Sequence, residues 1–261
     1  KEVIDLLEVL PDGTYIDLTL GGGGHSLEIL KWMSSGKLIC FDININAIER
    51  FNDLLSKLNN NNKIVRKKIN NLISKLVIQD KEIFLVNDNF IKLSETLSEI
   101  KVERVDGIIA DLGWSLDDLS EVEGLSHDKP IDMLDMRFDK RLGVKASDLL
   151  NALNKKELNI LFDRYSDIRG QANQKLVEEI IKTRKKKIFE RVEELKRVVE
   201  RSFLGKPGDN FSRQSGKIDF LSRVFQALRI AVNQEIVNLE NMLMQGFEKL
   251  NEDGDFIVIT F

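Results

Sequence analysis

The chain has 261 residues, 42% of them hydrophobic and 31% charged, with a formal net charge of −4. This balance fits a globular chain and excludes a general polyanion binder, and no apolar run approaches the roughly 18 to 20 residues that span a bilayer. A single cysteine, Cys40, excludes an internal disulfide framework, and two histidines leave little for a metal site, so the expectation is a cytoplasmic protein without a metal.

In chain order, the first strand is predicted over 14–20, where Tyr15, Ile16, Leu18 and Leu20 accompany a single acid, Asp17. It empties into four consecutive glycines, Gly21 to Gly24, and a helical stretch over 25–34 follows at once. Glycine loses more conformational freedom than any other residue, so such a run marks a place where backbone approaches a ligand closely. In open α/β sheets ligands sit just outside the carboxyl ends of the strands. Further short apolar strands are predicted over 37–43, 82–88 and 105–112, with helices over 45–58 and 90–100. Such a βαβα order predicts a mainly parallel sheet with helices on both faces.

One connection is longer. The run Asn59–Asn62 and the basic stretch after it read as a mobile excursion. Residues 54–79 hold no acid but carry Lys57, Lys63, Arg66, Lys67, Lys68 and Lys75. A second basic run is Arg184 to Lys187, continued by Arg191, Lys196 and Arg197. Each run is either a solvated face or a phosphate contact.

From about 121 to 219 the strand pattern gives way to helical periods over 147–153, 155–165, 171–186 and 188–203, then a loop at 205–210. Apolar residues from Leu221 to Leu250 recur every three or four positions and predict one long amphipathic helix. Gly254-Asp255 turns into a last strand, Phe256 to Phe261, beyond which a doubly wound sheet would add further edge strands. The expected organisation is an α/β core of 1–120 and 221–261, interrupted by a helical insertion of 121–220.

The second strand ends in Phe41-Asp42, about 20 positions past the glycine loop, where a carboxylate accepts hydrogen bonds from the two hydroxyls of a ribose. Glycine loop plus acid fits a nicotinamide dinucleotide or S-adenosylmethionine. The third small position of the dinucleotide pattern falls on Ser26, and an acid on the first strand, Asp17, favours the sulfonium cofactor with its cationic methionine part. Asn87-Asp88-Asn89-Phe90 closes the third strand with polar groups beside an aromatic, which suits an adenine ring, although Phe90 also suits a core. The fourth strand ends in Asp111-Leu-Gly-Trp-Ser115, where Asp111 either binds the cofactor or accepts a proton and Trp114 either stacks a base or packs. His25 has no cysteine or second histidine at ligand spacing.

Over nearly its full length the chain resembles the bacterial 16S ribosomal RNA cytosine-N(4) methyltransferase family. The matching pieces are Asp17-Leu-Thr-Leu-Gly-Gly-Gly-Gly-His-Ser26, Phe41-Asp42, Asn89-Phe90, Val105 to Gly113, Leu134-Asp-Met-Arg-Phe-Asp139, Phe225 to Asn233 and Gly254 to Phe261. The resemblance implies a Rossmann-like class I methyltransferase sheet with an inserted helical domain for RNA recognition. It implies S-adenosylmethionine as methyl donor and a decoding-centre cytidine of 16S rRNA, within the small ribosomal subunit, as acceptor, and it leaves a homodimer open. Carried over by motif, Gly23, Gly24, His25, Asp42, Phe90 and Asp111 would bind the cofactor. The family's cofactor-contacting glutamine falls on Asp118. Asp111, Asp135 and Arg137 would form the catalytic group, with Asp135 and Arg137 holding the base or its phosphate unless they pair with each other. Other departures are Gly124-Leu-Ser-His127, Ser166-Asp167 and Asp219-Phe220, mostly on the substrate side.

Overall fold

The computed structural model describes residues 2–58, 64–113, 122–203 and 215–260. They form two compact units, one of 1–113 with 237–261 and one of 114–236.

The first unit opens with helix α1 (Glu2–Leu6) and strand β1 (Thr14–Asp17), followed by α2 (Gly24–Trp32), β2 (Ser35–Phe41) and α3 (Ile45–Leu58). Strands β3 (Ile64–Lys68), β4 (Ile73–Ile78) and β5 (Asp80–Val86) come next. A 3-10 turn at Phe90–Lys92, α4 (Leu93–Glu99) and β6 (Val105–Asp111) complete its first segment. The sheet order is β3-β4-β5-β2-β1-β6 and then β7 (Leu250–Ile259), with β5, β2, β1, β6 and β7 all parallel. This is a Rossmann-like α/β sheet, as predicted. Its parallel strands reverse their order between β1 and β6, and that switch point is where such sheets bind ligands.

Alternation along each strand sorts the core into two layers. Tyr15, Leu38, Cys40, Leu85 and Ile109 face one way, onto Ile29 of α2 and Ile48, Phe51 and Leu55 of α3. Ile16, Ile39, Phe41, Val86, Ile108 and Ala110 face the other, onto Leu93 and Leu97 of α4 and Met242. A parallel strand covered on both faces has no polar face to show, hence the continuous apolar runs in the sequence.

The basic excursion expected after Asn62 is instead a hairpin. β3 and β4 pair antiparallel from Ile64↔Ile78 to Lys68↔Ser74, and β4 pairs antiparallel with β5. Asn70 builds the turn, its Oδ1 accepting the N–H groups of Leu72 at 2.6 Å and Ile73 at 2.7 Å. β3 is the sheet edge and four of its five residues are exposed, so it lacks the apolar alternation that announces a strand. Residues 59–63 lie outside the described residues.

The second unit contains α5 (Ala146–Ala152), α6 (Lys155–Tyr165), α7 (Gly170–Arg184), α8 (Val192–Phe203) and α9 (Ser215–Asn233), around a core that includes Leu134, Met136, Leu150, Phe162, Val177, Leu195 and Leu228. The predicted long helix is two: α9 ends at Asn233, Gln234 takes φ 51, and α10 (Glu235–Lys249) begins anew. Apolar spacing carries through the break, so periodicity alone cannot reveal it. Residues 237–261, most of α10 with β7, belong to the first unit. The loop at 205–210 lies outside the described residues.

Candidate functional site

Beyond β1 the chain turns sharply, and glycine is required at Gly23. Its φ is 76, and an added Cβ would lie 2.2 Å from the Phe51 ring. At Gly22 and Gly24 an added Cβ would meet nothing within 4 Å. The crest of the loop therefore borders open space that side chains would otherwise fill. His25 is half-buried in the first turn of α2.

Asp17 serves the interior of this turn. It is 1% exposed, its Oδ1 accepting the Thr19 N–H at 3.1 Å and its Oδ2 the Ser26 hydroxyl at 2.7 Å. Burial pushes the carboxyl up from its ordinary value, with the Ser26 and Thr19 hydrogen bonds pulling the other way. Ser26 Oγ also lies 3.3 Å from Cys40 Sγ, a thiol that burial raises and keeps protonated. Asp17 thus ties β1 to α2.

Asp42 sits at the carboxyl end of β2, where its Oδ2 accepts the Gly21 N–H at 2.7 Å and its Oδ1 the Asn44 N–H at 2.8 Å. The acid therefore organises the glycine loop. A carboxylate has about four acceptor positions, so it can serve more than one partner at a strand end. Asn87, at the end of β5, donates to the carbonyls of Asp42 at 3.0 Å and Ile43 at 3.1 Å. Phe90 opens the 3-10 turn behind Asn89, half-buried and packed in part against the core.

Asp111 is the last residue of β6. Its N–H donates to Thr19 Oγ1 at 2.7 Å, which fastens the two strands across the switch point. Its Oδ1 is buried with no hydrogen-bond partner among the described residues. A buried carboxylate oxygen costs free energy unless it is hydrogen-bonded, so this one is available to accept from a ligand. Gly23, Gly24, His25, Asp42, Phe90 and Asp111 all belong to the first unit, on loops or strand ends on the carboxyl side of the sheet. Open space at the glycine crest, with the Asp42 carboxylate at the neighbouring strand end holding Gly21, fits a nucleoside-bearing cofactor. Thr19 and Ser26 are partners of Asp111 and Asp17 that residue type alone does not single out, and Asn87, read from the sequence with the adenine group, braces the backbone after β2. Asp118 and Trp114 lie outside the described residues.

Asp135 and Arg137 belong to the second unit, where they form an internal ion pair. Arg137 gives Nε to Asp135 Oδ1 at 2.7 Å and Nη2 to Oδ2 at 2.9 Å, while Nη1 reaches the carbonyls of Lys140 and Leu142. Lys140 Nζ adds a contact to Asp135 Oδ2 at 3.0 Å. Burial alone would raise the Asp135 carboxyl, but the Arg137 and Lys140 hydrogen bonds outweigh it and hold its pKa at about 2. Met136, between them, takes φ 64, and Asn233 binds the same segment, donating to the Met136 carbonyl at 2.8 Å and accepting the Phe138 N–H at 2.9 Å. Arg137 is therefore not an uncommitted donor awaiting a base or phosphate, because its fork is spent within its own unit.

The second basic run is also largely committed. Arg184 donates to the carbonyls of Leu150 at 2.8 Å and Leu153 at 2.6 Å, Lys187 pairs with Glu194 and Arg197 with Glu193. Arg191 and Lys196 donate to the carbonyls of Ile131 and His127. These cations hold the unit together rather than forming an open phosphate strip.

The MraW methylase family model matches residues 1–81 and 72–261 of the chain. "Ribosomal RNA small subunit methyltransferase H" of Clostridium botulinum (strain Loch Maree / Type A3) is 32% identical over 265 residues, covering 100% of this chain and 75% of its own. The protein of the same name from Bacteroides fragilis (strain YCH46) is 33% identical over 100% of this chain and 74% of its own, and that of Acetivibrio thermocellus 35% identical over 100% and 75%. A solved structure of a putative methyltransferase from Streptococcus mutans, in complex with SAH, shows a weak likeness, with 19% identity and a TM-score of 0.32 over 44% of this chain and 52% of its own.

Proposed function

The chain belongs to the MraW methylase family, and from that premise we propose that it methylates the exocyclic amino nitrogen of a cytidine in the decoding centre of 16S rRNA, using S-adenosylmethionine. The observation that carries this reading is Asp111, a carboxylate at the switch point of the sheet whose Oδ1 is buried with no hydrogen-bond partner among the described residues, on the same carboxyl side of the sheet as the open glycine crest. Relatives named as small-subunit rRNA methyltransferases along the whole chain support the substrate class. Under this reading the partner is the small ribosomal subunit and the compartment the cytoplasm.

S-adenosylmethionine, when bound, supplies an electrophilic methyl group on a sulfonium. Asp42, at the carboxyl end of β2, accepts hydrogen bonds from the ribose hydroxyls. Phe90 offers its ring to the adenine. Gly23, Gly24 and His25 border the rest of the cofactor, and Asp118 stands in the sequence where the family has its cofactor-contacting glutamine. The cytosine amino nitrogen is a poor nucleophile, because its lone pair is drawn into the ring. An acceptor must orient its N–H and take the proton as the new bond forms, and Asp111 does this. Asp135 and Arg137 act as positioning residues, fixing the 134–139 segment of the helical unit. That unit and the β3–β4 hairpin dock the RNA.

The test is methyl transfer from radiolabelled S-adenosylmethionine to small subunits lacking the modification, with nucleoside analysis of the product. N4-methylcytidine is the expected product. Donor binding without transfer would identify a ribosome-assembly binding protein instead. Asp111→Asn should retain cofactor affinity and lose about 10²–10⁴ in single-turnover rate. An unchanged rate removes Asp111 as acceptor, and lost cofactor binding assigns it to the cofactor's methionine part.

A further inference from the structure

The helical unit carries a cleft of about 360 Å³ lined by Lys155, Glu178, Ile181, Lys182, Lys185 and Lys186. Four of the six side chains are cationic, and they come from two elements. Lys155 opens α6, whereas Lys182 belongs to the last turn of α7 and Lys185 and Lys186 follow it. The sequence separates Lys155 from the others by more than a whole helix, so the cluster exists only in the fold.

Local stability accounts for part of the set. Cations near the carboxyl end of a helix interact favourably with its dipole, which explains Lys182 and Lys185. The same argument runs against Lys155 and Lys156, the first two residues of α6, because cations at a helix amino terminus are disfavoured. The start of that helix is already secured by Asn154, whose Oδ1 accepts the N–H groups of Lys156 at 2.9 Å and Glu157 at 3.1 Å. Nothing in the helix calls for lysine there.

Charge pairing leaves a surplus. Lys155 pairs with Glu178 at 2.9 Å, both exposed, and Lys182 with the half-buried Glu179 at 3.0 Å. No carboxylate is paired with Lys185 or Lys186 among the described residues, and both are exposed. Their neighbours in sequence differ, since Arg184 is spent on the carbonyls of Leu150 and Leu153 and Lys187 on Glu194. Out of a basic run that is mostly structural, the fold sets aside the cations that line one concave surface. Among the described residues that line the cleft, Ile181 is the one hydrophobic side chain.

We infer that this cleft holds the phosphate backbone of the substrate RNA, with Lys185 and Lys186 touching the phosphates and Lys155 and Lys182 reinforcing them. The inference rests on the RNA-methylating function proposed above. Lysine bonds to phosphate carry no sequence information; they fix the register in which an RNA lies on the protein. The cleft is thus a positioning surface of the helical unit, separate from the residues proposed to bind the methyl donor.

The test measures binding of a fluorescent fragment of small-subunit rRNA to the full chain across a salt series, with calorimetry against S-adenosylmethionine alongside. K185Q/K186Q should bind the RNA about tenfold more weakly at moderate salt. The slope of log affinity against log salt should be shallower by about 1.4, since each phosphate of a single strand that a lysine neutralises contributes about 0.7. Arg197→Gln removes one charge from the same unit, but a charge already paired with Glu193 at 2.6 Å, and should leave the slope unchanged. Cofactor affinity should be the same in all three proteins. Unchanged affinity and slope in K185Q/K186Q, with wild type binding RNA, overturns the cleft alone and leaves the RNA reading standing. A wild-type chain without RNA affinity overturns both. An equal loss in Arg197→Gln also overturns the cleft, because bulk charge would then explain the effect.

Discussion

Replacing Asp42 tests the cofactor site directly, because its carboxylate has two duties. In the protein alone it accepts the Gly21 and Asn44 N–H groups at 2.7 and 2.8 Å, and in the complex it also receives the ribose hydroxyls. Hydrogen bonds to a charged group contribute roughly 1.5–3 kcal/mol each. Losing one ribose bond in Asp42→Ala should raise the Kd about tenfold, and losing two about a hundredfold or more. A loop without its Gly21 anchor must also be ordered at the moment of binding, which adds to the loss. Asp42→Asn keeps a neutral acceptor oxygen and should fall between wild type and alanine. Calorimetry with S-adenosylmethionine reads the three affinities, and circular dichroism shows that the sheet is intact. An Asp42→Ala protein that is folded and binds within about threefold of wild type would refute the assignment.

Gly23→Ala and Gly22→Ala should separate stability from binding. The first forces φ 76 on alanine and drives a Cβ into Phe51, costing about 1–3 kcal/mol from each source, whereas the second adds a methyl to open space and should lower only cofactor affinity. Equal melting temperatures for the two variants would contradict this. The Asp135 carboxyl, held at about 2 against an ordinary 3.8, contributes about 2 kcal/mol of stability at 1.36 kcal/mol per unit. Because its native pKa is depressed, that contribution is present above about pH 4 and lost as pH falls through about 2. Urea unfolding of wild type and Asp135→Asn should show a stability gap that closes over that window, and a gap indifferent to pH would remove the clamp. Lys67→Gln with Lys68→Gln on the exposed hairpin edge should flatten the salt dependence of RNA binding by about 1.4 without touching cofactor affinity, and an identical slope would leave these lysines as guards of a sheet edge.

The parallel strands were legible because strands covered on both faces need uninterrupted apolar runs, as in Leu38-Ile-Cys-Phe41. The glycine loop, Asp42 and Asp111 were legible because strand-end position and residue type together imply chemistry. The β3–β4 hairpin was hidden, since an edge strand tolerates Arg66, Lys67 and Lys68 in succession and its turn depends on one Asn70 side chain. Gln234 gave no signal, because a left-handed residue between two helices leaves the apolar spacing intact. Thr19 and Ser26 act only through distances to Asp111 and Asp17, which no spacing rule supplies. Asp135 and Arg137 show the converse. Two charged residues flanking Met136 look like site chemistry in sequence, but a left-handed backbone turns them onto each other.

β7 pairs with β6 only after the entire helical unit has been made. The side-chain bond from Asn251 to Asp106 at their margin spans 145 residues. At about 5–20 residues per second, translation needs roughly 7–30 s between the two strands. During that interval β6 presents a bare parallel edge of Ile108, Ile109 and Ala110 to the surroundings of the ribosome exit, the kind of template that invites wrong strand pairing. Nascent chains of this architecture are thus candidates for chaperone capture while they are being synthesised, and the stretch they need shielded is the strand that ends in Asp111.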